Sequence, residues 1–350
     1  MKVKNKVIVF SAVVSALLWG VLAANGFEQA LSLTAALTLL IAILWVTEAL
    51  PIPVTSLIPF VAFPMAGVID YKEAASALGS HVILLLMGAF MLSKALEKSG
   101  VHRRIAVYML RLCGASSAKR LVLGFMLTSA VLSMWISNTA TTLMLLPIAM
   151  AIITSMNSPK LAAALLLGIA YSASLGGVGT PIGTPPNIIF MSVYQQTTGT
   201  ELSFINWMMT GVPIVLIAIP IMAFWLTRKL SDMPDCDLPK AGDWRPAEKR
   251  VLTVFGIVAL AWIFRPYWSV WTGMTLVSDS TIAIAGVVLM FLVPNGDKEK
   301  PDQLLDWKTA EAIPWGMLLL FAGGICMAKA FTASGLSLLL GEALTGLSAL

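Results

Sequence analysis

Ser137-Asn138-Thr139-Ala140-Thr141-Thr142 and, some forty residues on, Gly176-Gly177-Val178-Gly179-Thr180-Pro181-Ile182-Gly183-Thr184-Pro185-Pro186-Asn187 decide the fold of this chain. Both lie in Leu121–Thr200, a stretch in which Lys160 is the one charged residue. So apolar a stretch belongs in lipid, yet these two runs are full of hydroxyls, amides and helix breakers. Lipid tolerates polar, unwound backbone only where protein or a water-filled cavity surrounds it. Two such breaks are the means by which transporters build a midplane site from half-helices. Apolar runs predict helices over 120–136 and 140–156 around the first break, and over 160–175 and 186–197 around the second. The first pair, at about 17 residues each, is short for a crossing and reads as a re-entrant hairpin. The second pair reads as one discontinuous span, because Pro181, Pro185 and Pro186 cannot donate to a helix ladder.

The rest of the chain supplies the membrane frame. Of 350 residues, 58% are hydrophobic and 12% charged, with mean hydropathy +0.87, which places the chain among all-α polytopic membrane proteins. Further helices are expected at 7–24, 30–49, 53–70, 81–99, 208–227, 250–265, 276–293 and 312–332, the first retained as a span and not removed as a signal peptide. With the amino terminus in the cytoplasm, 19 of the 23 Lys and Arg residues fall on the cytoplasmic side. Lys72 and Arg265 fall in outer loops, and Lys94 and Lys329 inside spans, where they snorkel without an evident acidic partner. Glu48 reads as a solvated span end, and 228–250 and 296–311 as solvated connections. The net charge of +5 sits in short loops and is no nucleic-acid signal. Cys113, Cys236, Cys326, His81 and His102 lack metal or redox spacing, so no transition metal is expected. An enzyme needs a buried acid, base or nucleophile, and the central stretch has no His, Asp, Glu or Cys. Gly176–Gly183 has neither the phase nor the following Lys of a nucleotide loop.

An internal repeat adds to this. A shift of 235 residues lays Leu84–Gly100 on Leu319–Gly335 with seven of seventeen positions identical, including the Lys-Ala and Ser-Gly pairs. In the topology above the two copies run in opposite directions, as in alternating-access transporters with inverted repeats. The same shift carries Ser137 to position 372, 22 residues past Leu350, so a second polar tip is expected there and the chain reads as truncated before it.

With no carboxylate or arginine in the central stretch, a cation there must be held by hydroxyl, amide and backbone oxygens. Half-helix carboxyl ends suit a cation and amino ends suit an anion. Ser133, one turn before Ser137, shares its face. Ser129 and Ser172 read as serines that hydrogen-bond across helices or to their own helix backbone.

The Ser-Asn-Thr hexad with Leu145-Leu146-Pro147-Ile148 resembles the divalent anion–sodium symporter family of dicarboxylate, citrate and sulfate carriers. So do Thr47-Glu48-Ala49-Leu50-Pro51-Ile52-Pro53 and Tyr171-Ser172-Ala173-Ser174 through Gly183-Thr184-Pro185-Pro186-Asn187. The resemblance implies an elevator-type homodimer of the bacterial inner membrane. Residues 1–118 and 229–350 would supply scaffold helices, and 119–228 half of a transport domain. It further implies sodium at Ser133, Ser137, Asn138 and Gly183, and a substrate carboxylate at Asn138, Thr139 and Thr184. The expected activity is sodium-coupled uptake of C4-dicarboxylates such as succinate, malate or fumarate, with no cofactor beyond the coupling ion. A citrate or sulfate carrier, an exchanger, or a non-transporting scaffold are the other readings.

Overall fold

The computed structural model describes residues 2–114, 116–156, 158–230 and 241–347; Cys236 and Lys240 lie outside them. The described chain is helical, apart from a single bridge between Pro294 and Gln303. It packs as two compact units, Met1–Ile83 with Pro314–Leu350, and Leu84–Ile313. Among the described residues eight helices are long and apolar enough to cross a membrane, and two shorter apolar segments, 52–65 and 279–292, accompany them.

The first unit opens with α1 (Lys2–Ala24) packed on α2 (Gln29–Thr47). Glu48 is exposed and closes α2 in the left-handed region, φ 48°, ahead of Pro51. The single helix expected at 53–70 is instead two short ones, α3 (Ile52–Thr55) and α4 (Ile58–Met65), followed by α5 (Tyr71–Leu78). Prolines cause the division: each short helix starts with one in its first turn, where a missing N–H is tolerated. Across them lies α16 (Trp315–Ala333), and beyond Gly335, φ 73°, the chain continues as α17 (Leu336–Leu347). Gly323 lets α16 close on α3, since a Cβ there would stand 2.5 Å from the Ser56 carbonyl oxygen. Phe63, Ile69, Ala74, Ala77, Cys326 and Ala330 form the core of this unit. Lys329 reaches the Ser76 hydroxyl at 2.6 Å.

In the second unit α6 (His81–Ser99), whose first turn belongs to the first unit, turns at Gly100, φ 76°, into α7 (Val101–Cys113). Helices α8 (Ala118–Ser133), α9 (Asn138–Met156), α10 (Pro159–Gly176), α11 (Pro185–Thr198) and α12 (Phe204–Thr227) follow. After them come α13 (Pro246–Trp271), α14 (Asp279–Leu292) and the short α15 (Trp307–Ala310). Serine hydroxyls start five of these: Ser117, Ser137, Ser158, Ser203 and Ser278 each accept the N–H three residues on, satisfying an otherwise orphaned donor. Gly88 brings α6 onto α14, where a Cβ would stand 2.7 Å from that of Ala283. Trp262, Phe125, Phe204, Leu110, Leu145 and Leu161 are among its fully buried side chains.

Three expectations about charges need correction. Lys94 does have an acidic partner, Glu97 at 2.7 Å, one helical turn on. Arg265 is not in a loop; it lies in α13 and is mostly buried between two carboxylates. The two basic-acidic connections are not free in solvent. Glu248 is buried against Arg104 at 2.9 Å, while Arg104 also donates to the carbonyls of Gly242 and Asp243 and lies 4.9 Å from the Trp244 ring. Arg245 donates to Ser99 O at 2.5 Å, clasping the α6–α7 corner. Lys98 holds Asp302 and Asp306, each at 2.6 Å. For Arg104 and Arg265 the physical reason is burial: a buried charge is tolerated only when paired, so each is met by carboxylates.

Candidate functional site

The first polar break is a helical hairpin. α8 stops at Ser133, Met134–Ser137 make the tip, and α9 starts at Asn138. Ser137 caps α9: its Oγ accepts from Ala140 N at 3.1 Å and its carbonyl from Thr141 N at 3.0 Å. The amide N–H groups of Asn138 and Thr139 therefore stand at an open helix amino terminus. The second break is equally real. α10 ends at Gly176, a 3-10 turn covers Gly177–Gly179, and Thr180–Thr184 is non-helical before α11.

Glycines let the two breaks meet. A Cβ on Gly176 would stand 2.5 Å from Ala130 Cα of α8, and one on Gly183 would stand 2.5 Å from Gly177 O and 3.0 Å from Ser133 O. One on Gly177 would stand 3.0 Å from Asn138 Oδ1 and 3.2 Å from Gly183 O. The space a side chain would fill is thus walled by oxygens from three segments. Ser133, fully buried, sits beside it with its Oγ 2.5 Å from Asn138 Oδ1 and 2.7 Å from Ala173 O. A hydroxyl has one proton, so it cannot satisfy both acceptors at once. A set of neutral oxygen ligands of this kind suits a hard cation.

Other contacts hold this arrangement. Thr180 donates to Met134 O at 2.5 Å and accepts from Gly183 N at 3.1 Å. Asn187 spans the break, its Nδ2 2.8 Å from both Gly177 O and Thr180 O. Trp207 of α12 donates to Val178 O at 2.8 Å. Of the expected site residues, Ser133, Asn138 and Gly183 converge, with Thr184 at their edge: its Cβ is 3.2 Å from the position of a Gly177 Cβ. Ser137 and Thr139 are exposed beside them on the tip. Thr184 precedes α11 but makes no side-chain cap, and Pro185 and Pro186 remove two of the donors that helix would offer an anion. The open amides are those of α9. Ser129 makes the expected interhelical bond, to Ile169 O at 2.9 Å. Ser172 does not; its buried hydroxyl is without a hydrogen-bond partner.

Thr180 and Trp207 were not singled out from the sequence. Their partners are carbonyls freed by the break, and only the fold shows which side chain reaches them.

A separate cleft of about 750 Å³ lies between α7, α9 and the start of α13, lined by Arg103, Ala140, Leu143, Gly242, Arg245 and Glu248 among others. Its Arg104, Arg245 and Lys98 are engaged in the pairs described above, and burial holds the His102 imidazole below its usual pKa. It is therefore an interlocked corner, with the exposed Arg103 on its wall.

A family model described as citrate transporter matches residues 42–350. The sodium-dependent dicarboxylate transporter SdcS of Staphylococcus saprophyticus is 39% identical over 332 residues, covering 88% of this chain and 64% of that protein. The protein of the same name from Staphylococcus aureus is 38% identical over 336 residues, with 89% and 64% covered. The chain thus spans less than two thirds of the length of these curated relatives.

Proposed function

The chain belongs to the divalent anion–sodium symporter family, a family of transporters and not of enzymes, and on that premise we propose that it carries half of a sodium-coupled site for small dianions. The observation that carries this reading is the oxygen cluster of Ser133, Asn138, Ala173, Gly177 and Gly183. Two helices, α8 and α10, end there, and each carboxyl end presents roughly half a negative charge. Sodium would sit among these oxygens, with Ser137 completing the set from the tip. A substrate carboxylate would meet the amino end of α9, with Asn138, Thr139 and the Thr184 hydroxyl beside it. Asn138 joins the two ligands: its side-chain oxygen faces the cation and its backbone N–H faces the anion. Bound sodium offsets the dianion and orders the tip, so neither ligand binds well alone.

The curated relatives are named for dicarboxylates, which favours C4-dicarboxylates such as succinate, malate or fumarate. Citrate is the second reading, favoured by the description of the family model. An elevator motion and an inverted repeat are part of the proposal. Supporting them, α6 and α16 are both 19 residues long, and each turns at a left-handed glycine, Gly100 and Gly335, into a further helix, α7 and α17. The repeat-related Gly88 and Gly323 are both points of close helix crossing. Residues 119–228 would be the moving half-domain and 1–118 with 229–350 the scaffold, dimeric in a bacterial inner membrane, with a cytoplasmic amino terminus. The test is uptake of labelled succinate into cells expressing the full chain. Uptake should fall to background when choline replaces sodium and in Asn138→Ala; uptake indifferent to both defeats the reading.

A further inference from the structure

Arg265 is shared by two carboxylates whose surroundings differ. Its Nη2 lies 2.5 Å from Glu201 Oε1, and its Nε lies 2.6 Å from Asp279 Oδ1. Glu201 is half exposed, 52%, whereas the Asp279 side chain is 9% and that of Arg265 12% exposed. The contact is part of a matched patch. Trp262 and Arg265, one turn apart on α13, face Phe204 and Glu201 at the start of α12. Phe204 stacks on Trp262 with ring centroids 5.2 Å apart and planes at 6°. Phe204 also stacks on Trp135 of the hairpin tip, at 6.3 Å. Trp262 is anchored in turn by its Nε1 to Asp279 O, 2.9 Å. Trp135 also meets Phe255 of α13 edge-on at 5.6 Å, so hairpin, α12 and Glu201 face α13 and α14 through an aromatic cluster and one ion pair.

The two carboxylates suit different jobs. A buried guanidinium stripped of its partner is strongly unfavourable, whereas an exposed carboxylate that leaves is taken up by water. With Asp279 in place, Glu201 can depart without stranding Arg265. We infer that Trp262, Arg265 and Asp279 form a fixed docking station, and that Glu201 with Phe204 is its releasable counterpart, engaged in one state of the transport cycle and separated in the other. This rests on the proposed division into a moving 119–228 and a fixed 229–350, since Glu201 and Arg265 fall on opposite sides of it.

The test uses the full chain with Cys113, Cys236 and Cys326 replaced by serine. Glu201→Cys and Arg265→Cys are added, with Asp279→Asn so that no buried carboxylate is stranded. A bifunctional thiosulfonate reagent should join the two cysteines in membranes and stop sodium-dependent succinate uptake, and a reductant should restore it. Crosslinked protein that transports at the uncrosslinked rate would place both residues in one rigid body and overturn the inference; so would failure of the pair to crosslink under any substrate condition. Single variants supply a measurement that survives poor folding of the crosslinking variant. Glu201→Gln should change the maximal uptake rate several-fold at an unchanged melting temperature, while Asp279→Asn should lower the melting temperature. Equal loss of stability in both would mean the triad is merely structural, and the inference would fall. A parent protein with no sodium-dependent uptake at all would instead remove the carrier reading, and the docking station with it.

Discussion

Substituting alanine for Gly183 tests the proposed sodium site with the least chemistry removed, since no side-chain ligand is lost. The added methyl would stand 2.5 Å from Gly177 O, 2.9 Å from Gly177 Cα and 3.0 Å from Ser133 O. All three are backbone atoms, so no flexible side chain can swing away. Either the carbonyls of Gly177 and Gly183 move apart or the methyl occupies the space between them. Overpacking of this kind costs about 1–3 kcal/mol. If that energy falls on the ion-bound geometry, about 1.4 kcal/mol being tenfold, half-saturating sodium should rise between about fivefold and a hundredfold. The assay is a sodium titration of succinate uptake at fixed membrane abundance, with Gly256→Ala as control, where a Cβ meets nothing within 4 Å. A Gly183→Ala carrier whose sodium dependence matches that of the Gly256→Ala control would refute the argument.

Three further outcomes are expected. Ser133→Ala removes the over-committed hydroxyl and should weaken sodium activation while leaving the helices folded; sodium-induced thermal stabilisation should shrink, and an unchanged shift would exclude Ser133 as a ligand. Asn187→Ala strips the shared donor from Gly177 O and Thr180 O, and with about 1–3 kcal/mol for each buried acceptor left unmade the broken segment should loosen; hydrogen exchange across 177–187 that stays at the wild-type level would contradict this. The third concerns acid. Hydrogen bonds from Lys98, with backbone N–H groups of Gln303 and Thr309, hold the Asp302 and Asp306 carboxyls below their ordinary 3.8. A depressed carboxylate contributes stability that is present above its unfolded pKa and lost as pH falls through the folded one. Lys98→Met should therefore lower the melting temperature from neutral pH down to about 4, with the gap to wild type closing only in stronger acid; a gap that closes between pH 7 and pH 5 would be inconsistent.

The parts of the fold that were legible in the sequence are those where one physical signal dominates. The break at 177–184 is legible because proline, glycine and hydroxyl residues interrupt the apolar run, whereas the first falls earlier than its polar residues suggest: the tip is Met134–Ser137, and Asn138–Thr142 already belong to α9. α7 gives no such signal: 101–113 carries His102, Arg103, Arg104 and Arg111, and an amphipathic helix contains no apolar run. The run 53–70 looked continuous since Pro53, Pro59 and Pro64 sit among apolar neighbours, and periodicity does not reveal how often the chain turns. Charges in connections were legible as charges but not as partners. Glu248 is 144 residues from Arg104, and their pairing depends on α7 folding back toward the start of α13. The site residues Ser133 and Asn138 could be placed on one hairpin from spacing alone. That Asn187 and Trp207 tie down the carbonyls of the second break follows only from the packed arrangement.

Apart from Lys160, at the amino end of α10, the central stretch carries no charged side chain, which has a physical consequence for an alternating carrier. A pocket that must return empty has to cross the same low-dielectric region as the loaded one. A lysine or carboxylate in it would have to be desolvated on every return, and moving one elementary charge through the membrane potential is worth about 2.3 kcal/mol per 100 mV. Oxygens of Ser133, Asn138, Ala173, Gly177 and Gly183 carry only partial charges, so the unloaded pocket stays nearly neutral. When sodium and a dianion occupy it together, the cargo partly neutralises itself. Sodium alone leaves the amino end of α9 without its anion, and the dianion alone faces the carboxyl ends of α8 and α10 without a cation between. Both half-loaded forms are therefore disfavoured relative to the empty and the fully loaded ones. Coupling, on this reading, needs no dedicated charged gate within Leu121–Thr200. It follows from a neutral pocket whose two ligands each supply the charge that the other lacks.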